Sequence, residues 1–280
     1  MSENMGNKRS MEMHKKAFSF IKRDLILATS YKFDFFIRLF FMFFSILTFY
    51  FVSKLIEGAG AQYLEPYGGD YFSFVLIGIA FSGYLMTAMR GFSESIRGEQ
   101  MMGTLEAMLV TPTNTSTIIT LSSLWSFIFT SFRVLLYLLI GVFLLGVNMS
   151  DANLVAAMII LILTIISFSS IGILSASFIM ILKRGDPINM LFMSTSELFG
   201  GVLFPIAVLP GWLQNISHIL PITYSLSGMR HALLQGYSLH ALAPDIIALV
   251  VFSIVLLPLA LLAFKYAVKK AKVDGTLVQY

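Results

Sequence analysis

The stretch 35-FFIRLFFMFFSILTFYFVSKL-55 decides the fold. Apart from Arg38 and Lys54, every residue in it is apolar, aromatic or a small hydroxyl. A run of about 20 such residues is what a helix needs to cross a hydrocarbon layer roughly 30 Å thick. Lipid leaves no water to satisfy free backbone groups, and the run lacks the alternation of a barrel strand, so it reads as a spanning helix. Five further segments share its character: about Tyr71–Met89, Ile118–Gly146, Asn153–Leu182, Pro187–Val208 and Pro244–Tyr266. The reading is an all-α integral membrane protein with six transmembrane helices over residues 35–267. A cytoplasmic N-terminal region, 1–34, precedes them, and a cytoplasmic tail, 268–280, follows.

Composition agrees with this. Of the 280 residues, 57% are hydrophobic and 12% charged. A typical soluble domain has roughly 45–50% apolar and about 25% charged residues. A soluble fold of this size has no way to cover so much apolar surface. A soluble enzyme, a disordered chain and a nucleic-acid module are therefore excluded. The chain has no cysteine, so there is no disulfide frame, thiolate metal site or cysteine nucleophile.

Lysine and arginine placement sets the orientation. Six spans put both ends on one side. That side collects the seven basic residues from Lys8 to Lys32, then Arg90, Arg97, Lys183, Arg184, Lys265, Lys269, Lys270 and Lys272. The other side holds Lys54 and Arg230, and fifteen against two places both termini in the cytoplasm. Arg38 and Arg133 fall within spans. No apolar run of signal-peptide length precedes the first span. Phe18, Ile21, Leu25 and Ala28 recur at helical spacing among lysines, which fits an amphipathic helix in the headgroup plane better than a plain solvated leader.

Two loops stand out. In the cytoplasmic segment, Glu94–Gln100 extends the second span, and Thr104 caps a short helix with Leu105, Met108 and Leu109 on one face. Pro112 ends it by pushing Thr111 out of helical geometry. Such a helix suits docking into a partner's groove, or it lies on the membrane surface. The outer segment Leu209–Ala243 is too apolar for a solvated loop, and Pro210, Gly211 and Pro221 cut it into two pieces too short to cross. Two short re-entrant helices fit it better than two helices lying flat.

The chemistry of catalysis is not evident. His14, His218, His231 and His240 show no metal-ligand spacing, and no phosphate-cradling Gly-x4-Gly-Lys-Ser/Thr loop occurs. Hydrolysis of ATP by the chain itself is therefore not expected. Arg133 and Glu197 carry charge into the membrane at a cost of about 2.5–3.5 kcal/mol each. They differ in depth by roughly five residues, about 7 Å, which long side chains bridge, so contact within one chain is expected, more as a stabilising pair than as a substrate site. The ten aromatics from Phe33 to Phe51 surround the first span and read as lipid-facing.

The pattern formed by Glu99, Gly103, Thr104, Leu105, Glu106, Met108, Leu109, Thr111 and Pro112 resembles the permease family of type-2 ABC exporters, the ABC-2 membrane family. A second matching stretch runs Gly200-Gly201-Val202-Leu203-Phe204-Pro205, then Leu209-Pro210-Gly211-Trp212, Leu220-Pro221, Arg230 and Gly236. The resemblance implies that the N-terminal amphipathic helix is an interfacial connecting helix. It makes Gly103–Thr111 the coupling helix that meets a separate ATPase. It makes the outer pair, marked by Gly201, Pro205, Pro210, Trp212, Pro221 and Arg230, the closure of the pathway. It implies two ATPase chains holding ATP and Mg, with no cofactor on this chain, and a second permease, expected to be an identical copy. The function implied is export of an amphipathic, lipid-like or drug-like molecule, a lipid-linked glycan included, across the cell membrane. An ion-gradient-driven carrier is the alternative; it would call for paired broken spans and a midplane carboxylate such as Glu197. An integral membrane enzyme acting on lipids would need clustered histidines or acids near one interface, which the sequence lacks.

Overall fold

The computed structural model describes residues 32–56, 60–101, 115–182 and 187–273, with Lys22, Ile26 and Gly58 besides. The helices, in chain order, are α1 (Lys32–Leu55), α2 (Ala61–Leu64), α3 (Tyr71–Met101), α4 (Thr115–Leu145), α5 (Leu154–Leu182), α6 (Pro187–Phe199), α7 (Gly211–Ser217), α8 (Pro221–Leu234) and α9 (Ala243–Val273). Five of them are long and apolar enough to cross a membrane, over Phe35–Leu55, Tyr71–Gly91, Trp125–Leu145, Leu154–Ile181 and Ala243–Lys270. The shortest of these spans have 21 residues, about 31 Å of helix.

Local chemistry fixes the helix ends. Asp70 caps α3: its carboxylate accepts the Ser73 amide at 2.8 Å and the Phe72 amide at 3.2 Å, and also the Ser73 hydroxyl. Asn153 does the same for α5, with Oδ1 accepting the Ala156 amide at 3.1 Å. Gly146, at φ +76°, turns the chain out of α4, and the Val147 amide returns to the Gly141 carbonyl at 2.9 Å. As expected, α3 continues past its apolar stretch, reaching Met101. That is ten residues beyond Gly91, or about 15 Å.

The fifth segment differs from expectation. Instead of one helix over 187–208, α6 stops at Phe199 after 13 residues, about 20 Å. The run looks continuous by composition, but two glycines break it. A Cβ on Gly200 would overlap Ile222 of α8 and the Ser196 carbonyl, and Gly201 stands at φ +75°. Close packing of α8 therefore selects the bend.

The interior is organised around α3. Tyr84 of α3 donates to Ser131 of α4 at 2.7 Å, and Thr87 pairs with Thr130 at 2.6 Å. On another face, Gly172 of α5 lies so close to α3 that a Cβ would meet the Ala88 and Met89 carbonyls. Thr164 of α5 pairs with Ser225 of α8 at 2.7 Å, and Ser167 pairs with Ser253 of α9 at 3.0 Å. Small residues that allow close approach, with hydroxyls bridging helices, are how helices associate where apolar burial gives little drive. By contrast, α1 sits at the edge, with Phe36, Phe40, Phe41 and Phe44 exposed, in keeping with a lipid-facing surface.

Candidate functional site

The most unusual part of the chain is the broken segment α6 with the short pair α7–α8. Asn189 of α6 donates from Nδ2 to the Met89 carbonyl at 3.0 Å, and Arg90 Nε donates to Met193 Sδ at 3.3 Å. At the other end, the Val202 carbonyl lies against Gly78. The segment thus runs antiparallel to α3 from Met89 to Gly78, advancing about 16 Å. It passes from the Gly91 end of α3 toward the end bearing Tyr71, which the charge count assigns to the outside.

The short pair α7–α8 packs against the long helices, α8 meeting α5 through Ser225 and α3 through Arg230. Pro210 precedes α7, and Pro221 occupies the first turn of α8, where a missing N–H costs nothing. The turn between them is closed by Thr223 Oγ1 donating to the Ser217 carbonyl at 2.6 Å and Tyr224 donating to the His218 carbonyl at 2.9 Å. The C-terminal end of α8 is held where the Asn153 amide donates to the Ala232 carbonyl at 2.8 Å. Its lower part reaches Thr164 through Ser225. Thr164 lies ten residues into α5, so α8 packs along about 15 Å of that helix. Gly236, at φ +64°, lets the chain leave α8 tightly against the Asp151 carbonyl.

Arg230 locks these parts together. It is fully buried, at 2% exposure. Its Nε donates to the Phe74 carbonyl at 3.0 Å and its Nη2 to the Val202 carbonyl at 3.1 Å. The guanidinium lies 3.4 Å from the centre of the Phe74 ring and 5.8 Å from that of Tyr67. Cation–π attraction and two carbonyls take the place of a carboxylate partner. Beside it, His231 is stacked between Tyr67, with centroids 5.1 Å apart, and Tyr237, 4.8 Å apart. Ser227 donates to Asp245 at 3.3 Å. Burial pushes the Tyr67 phenol above its usual pKa, opposed by the charge of Arg230.

The residues singled out in the sequence divide sharply. Gly201 and Pro221 are buried, and Arg230 is bound beside Val202. Pro205 is buried and opens the single turn Ile206–Val208. Pro210 and Trp212 are exposed, Trp212 at 67%. Glu99 falls on the backbone of α3, whereas Gly103, Thr104, Leu105, Glu106, Met108, Leu109, Thr111 and Pro112 lie outside the described residues. So does the N-terminal amphipathic stretch, save Lys22 and Ile26, which are helical and exposed, and Lys32 and Phe33, which begin α1.

Arg133 and Glu197 do not pair, which corrects the contact expected between them. Arg133 Nη2 stands 3.0 Å from where a Gly83 Cβ would be. Glu197 is exposed on α6, whose C-terminal end is tied through Val202 and Arg230 to Phe74. Phe74 and Gly83 are nine residues apart, about 900° of helix and so on opposite sides of α3. The broken segment meets α3 at Met89 and Gly78, whereas Arg133 meets it at Gly83.

Sequence reasoning missed Tyr67, Phe74, Ser227, Tyr237 and Asp245, and took His231 only as one of four histidines without metal-ligand spacing. Arg230 joins Phe74 across 156 positions, and no spacing signals such a meeting. Among the described residues no group of three or more His, Asp or Glu is placed to hold a metal.

The family model of the ABC-2 type transporter matches residues 16–234. The inner membrane transport permease YadH of Escherichia coli (strain K12) is 28% identical over 178 residues, covering 62% of this chain and 68% of that protein. The protein of the same name from Shigella flexneri matches to the same extent. The match takes in α1 to α8, including Arg230 and the broken segment. Members of this family are membrane subunits of transporters and are not catalytic by themselves. With long apolar helices, this makes the protein a multi-pass membrane transporter subunit. The chain belongs to the ABC-2 type transporter family.

Proposed function

We propose that this chain is the permease of an ATP-driven exporter. It moves an amphipathic, lipid-like or drug-like molecule, a lipid-linked glycan included, out of the cytoplasm or inner leaflet. Two copies assemble with two copies of a separate ATPase, which hold ATP and Mg. The broken segment containing α6 completes a sixth crossing, and both termini lie in the cytoplasm. The helical extension of α3 carries the 103–112 segment to the ATPase, which it meets as a coupling helix. ATP favours the closed ATPase pair because it binds that state better, and the coupling helices pass the change to the membrane helices. The paired helices α7 and α8, with Gly201, Pro205, Pro210, Trp212, Pro221 and Arg230, form the outer closure.

The observation that supports this reading is the short α7–α8 pair, too short to cross and locked to α3 and the broken segment by Arg230, in a chain of this family. Such a pair plugs the outer half of a pathway without crossing it. The test is co-purification with the candidate ATPase, followed by ATP-dependent transport with Glu106 and Leu109 replaced together. A stable complex whose coupling falls in the double variant supports the reading. A chain that transports without any ATPase refutes it.

A further inference from the structure

Glu197 lies on the exposed face of α6, one turn after exposed Ser194 and flanked by Met190, Leu191 and Leu198. Its depth follows from its neighbours. Met193 is bonded to Arg90, and Val202 lies against Gly78, so Glu197 is level with residues 84–85 of α3. That is about 20 Å from the Tyr71 end, well inside the hydrocarbon. A carboxylate facing lipid at such depth is costly, so charged groups there line water or meet a partner charge. Among the described residues no cation pairs with it, because Arg133 stands at the same depth across α3.

A second feature has the same sign. α6 ends at Phe199; of its last turn the Ser196 carbonyl accepts the Gly200 amide at 2.9 Å, while the carbonyls of Glu197, Leu198 and Phe199 lie beyond the helix's own donors. Its negative dipole end lies beside Glu197. Arg230 answers this end on the α3 side through Val202, leaving the exposed side negative. The C-terminal end of a broken helix at the bilayer midplane is a place where transport proteins coordinate cations. Around it, Met190, Leu191 and Leu198 offer an apolar wall for the rest of an amphiphile.

We propose that the exposed face of α6 lines a hydrated path, and that Glu197 recognises the positively charged group of the substrate. The favoured cargo is then an amphipathic molecule carrying an ammonium group rather than an anionic one. This rests on the transport function proposed above.

The experiment uses the permease–ATPase complex in liposomes with two probes, a lipophilic quaternary ammonium fluorophore and its neutral tert-butyl analogue. The expected result is that Glu197→Gln lowers cation uptake about 10- to 100-fold relative to the neutral analogue. Glu197→Asp should restore part of the preference. An unchanged cation-to-neutral ratio overturns the inference. So does loss of the two-permease assembly on size exclusion, which would make Glu197 a contact between copies. If the wild type carries neither probe with ATP, the transport reading falls, and this inference with it.

Discussion

Replacing Gly78 by alanine tests the packing that places α8. A methyl at Gly78 would overlap the Val202 carbonyl oxygen and stand 2.7 Å from Arg230 Nη2. Neither neighbour is the free end of a flexible side chain. Val202 is backbone just beyond the Gly200–Gly201 break, and Arg230 is held at both Phe74 and Val202. Pushing α3 away from this segment costs about 1–3 kcal/mol of overpacking. Giving up one charge-assisted hydrogen bond costs about 1.5–3 kcal/mol more. The gain in helix propensity offsets about 0.5–1 kcal/mol. The net loss is about 2–5 kcal/mol, or a fall in Tm of about 4–20 °C at 2–4 °C per kcal/mol. The assay is thermal unfolding in detergent, with Gly91→Ala as the matched control. Gly91 lies in the same helix, and a Cβ there meets nothing within 4 Å, so that variant should match or slightly exceed the wild type. If Gly78→Ala unfolds within a degree of Gly91→Ala, the account of Arg230 and the break is wrong.

Other predictions follow from the same geometry. Arg133→Ala and Glu197→Ala should be additive in a double-mutant cycle, within about 0.3–0.5 kcal/mol, because α3 separates them; a larger coupling in unfolding free energy would place them in contact. Ile219, 70% exposed at the turn between α7 and α8, lies thirteen residues before Ala232, near the surface. A fluorophore on Ile219→Cys should be quenched by lipids brominated deep in the chain, and quenching only from headgroup depth would mean that the pair lies flat. The absence of natural cysteine allows a direct topology test. In intact cells a membrane-impermeant maleimide should label Tyr63→Cys and Leu239→Cys but not Lys269→Cys, and the reverse pattern would invert the orientation.

How far the sequence could be read depended on the range of the forces involved. Long apolar runs such as Leu154–Ile181 announce themselves because crossing lipid is a local requirement of length and polarity. The split of the segment after the fifth run into two short helices was legible for a similar reason: Pro210 and Pro221 punctuate it, and α7 and α8 start just after and at them. The break of the fifth segment was not, because nothing in the mostly apolar run 187–208 marks the bend except two glycines, and Gly200 is fixed by contact with Ile222, twenty-two positions away. Arg230 stood out as a charge in an apolar segment, yet its partners are backbone carbonyls and rings, which leave no mark in composition. Arg133 and Glu197 show the converse limit. Both fall on apolar helices, but depth along a helix says nothing of which side of a neighbour each one faces.

The central claim, that this membrane chain moves its cargo on ATP energy, is tested most directly by flux in proteoliposomes containing the chain and its ATPase. The account predicts uptake of the amphipathic probe that requires hydrolysable ATP and persists when proton and sodium gradients are collapsed. Uptake that follows an imposed ion gradient without ATP would contradict it.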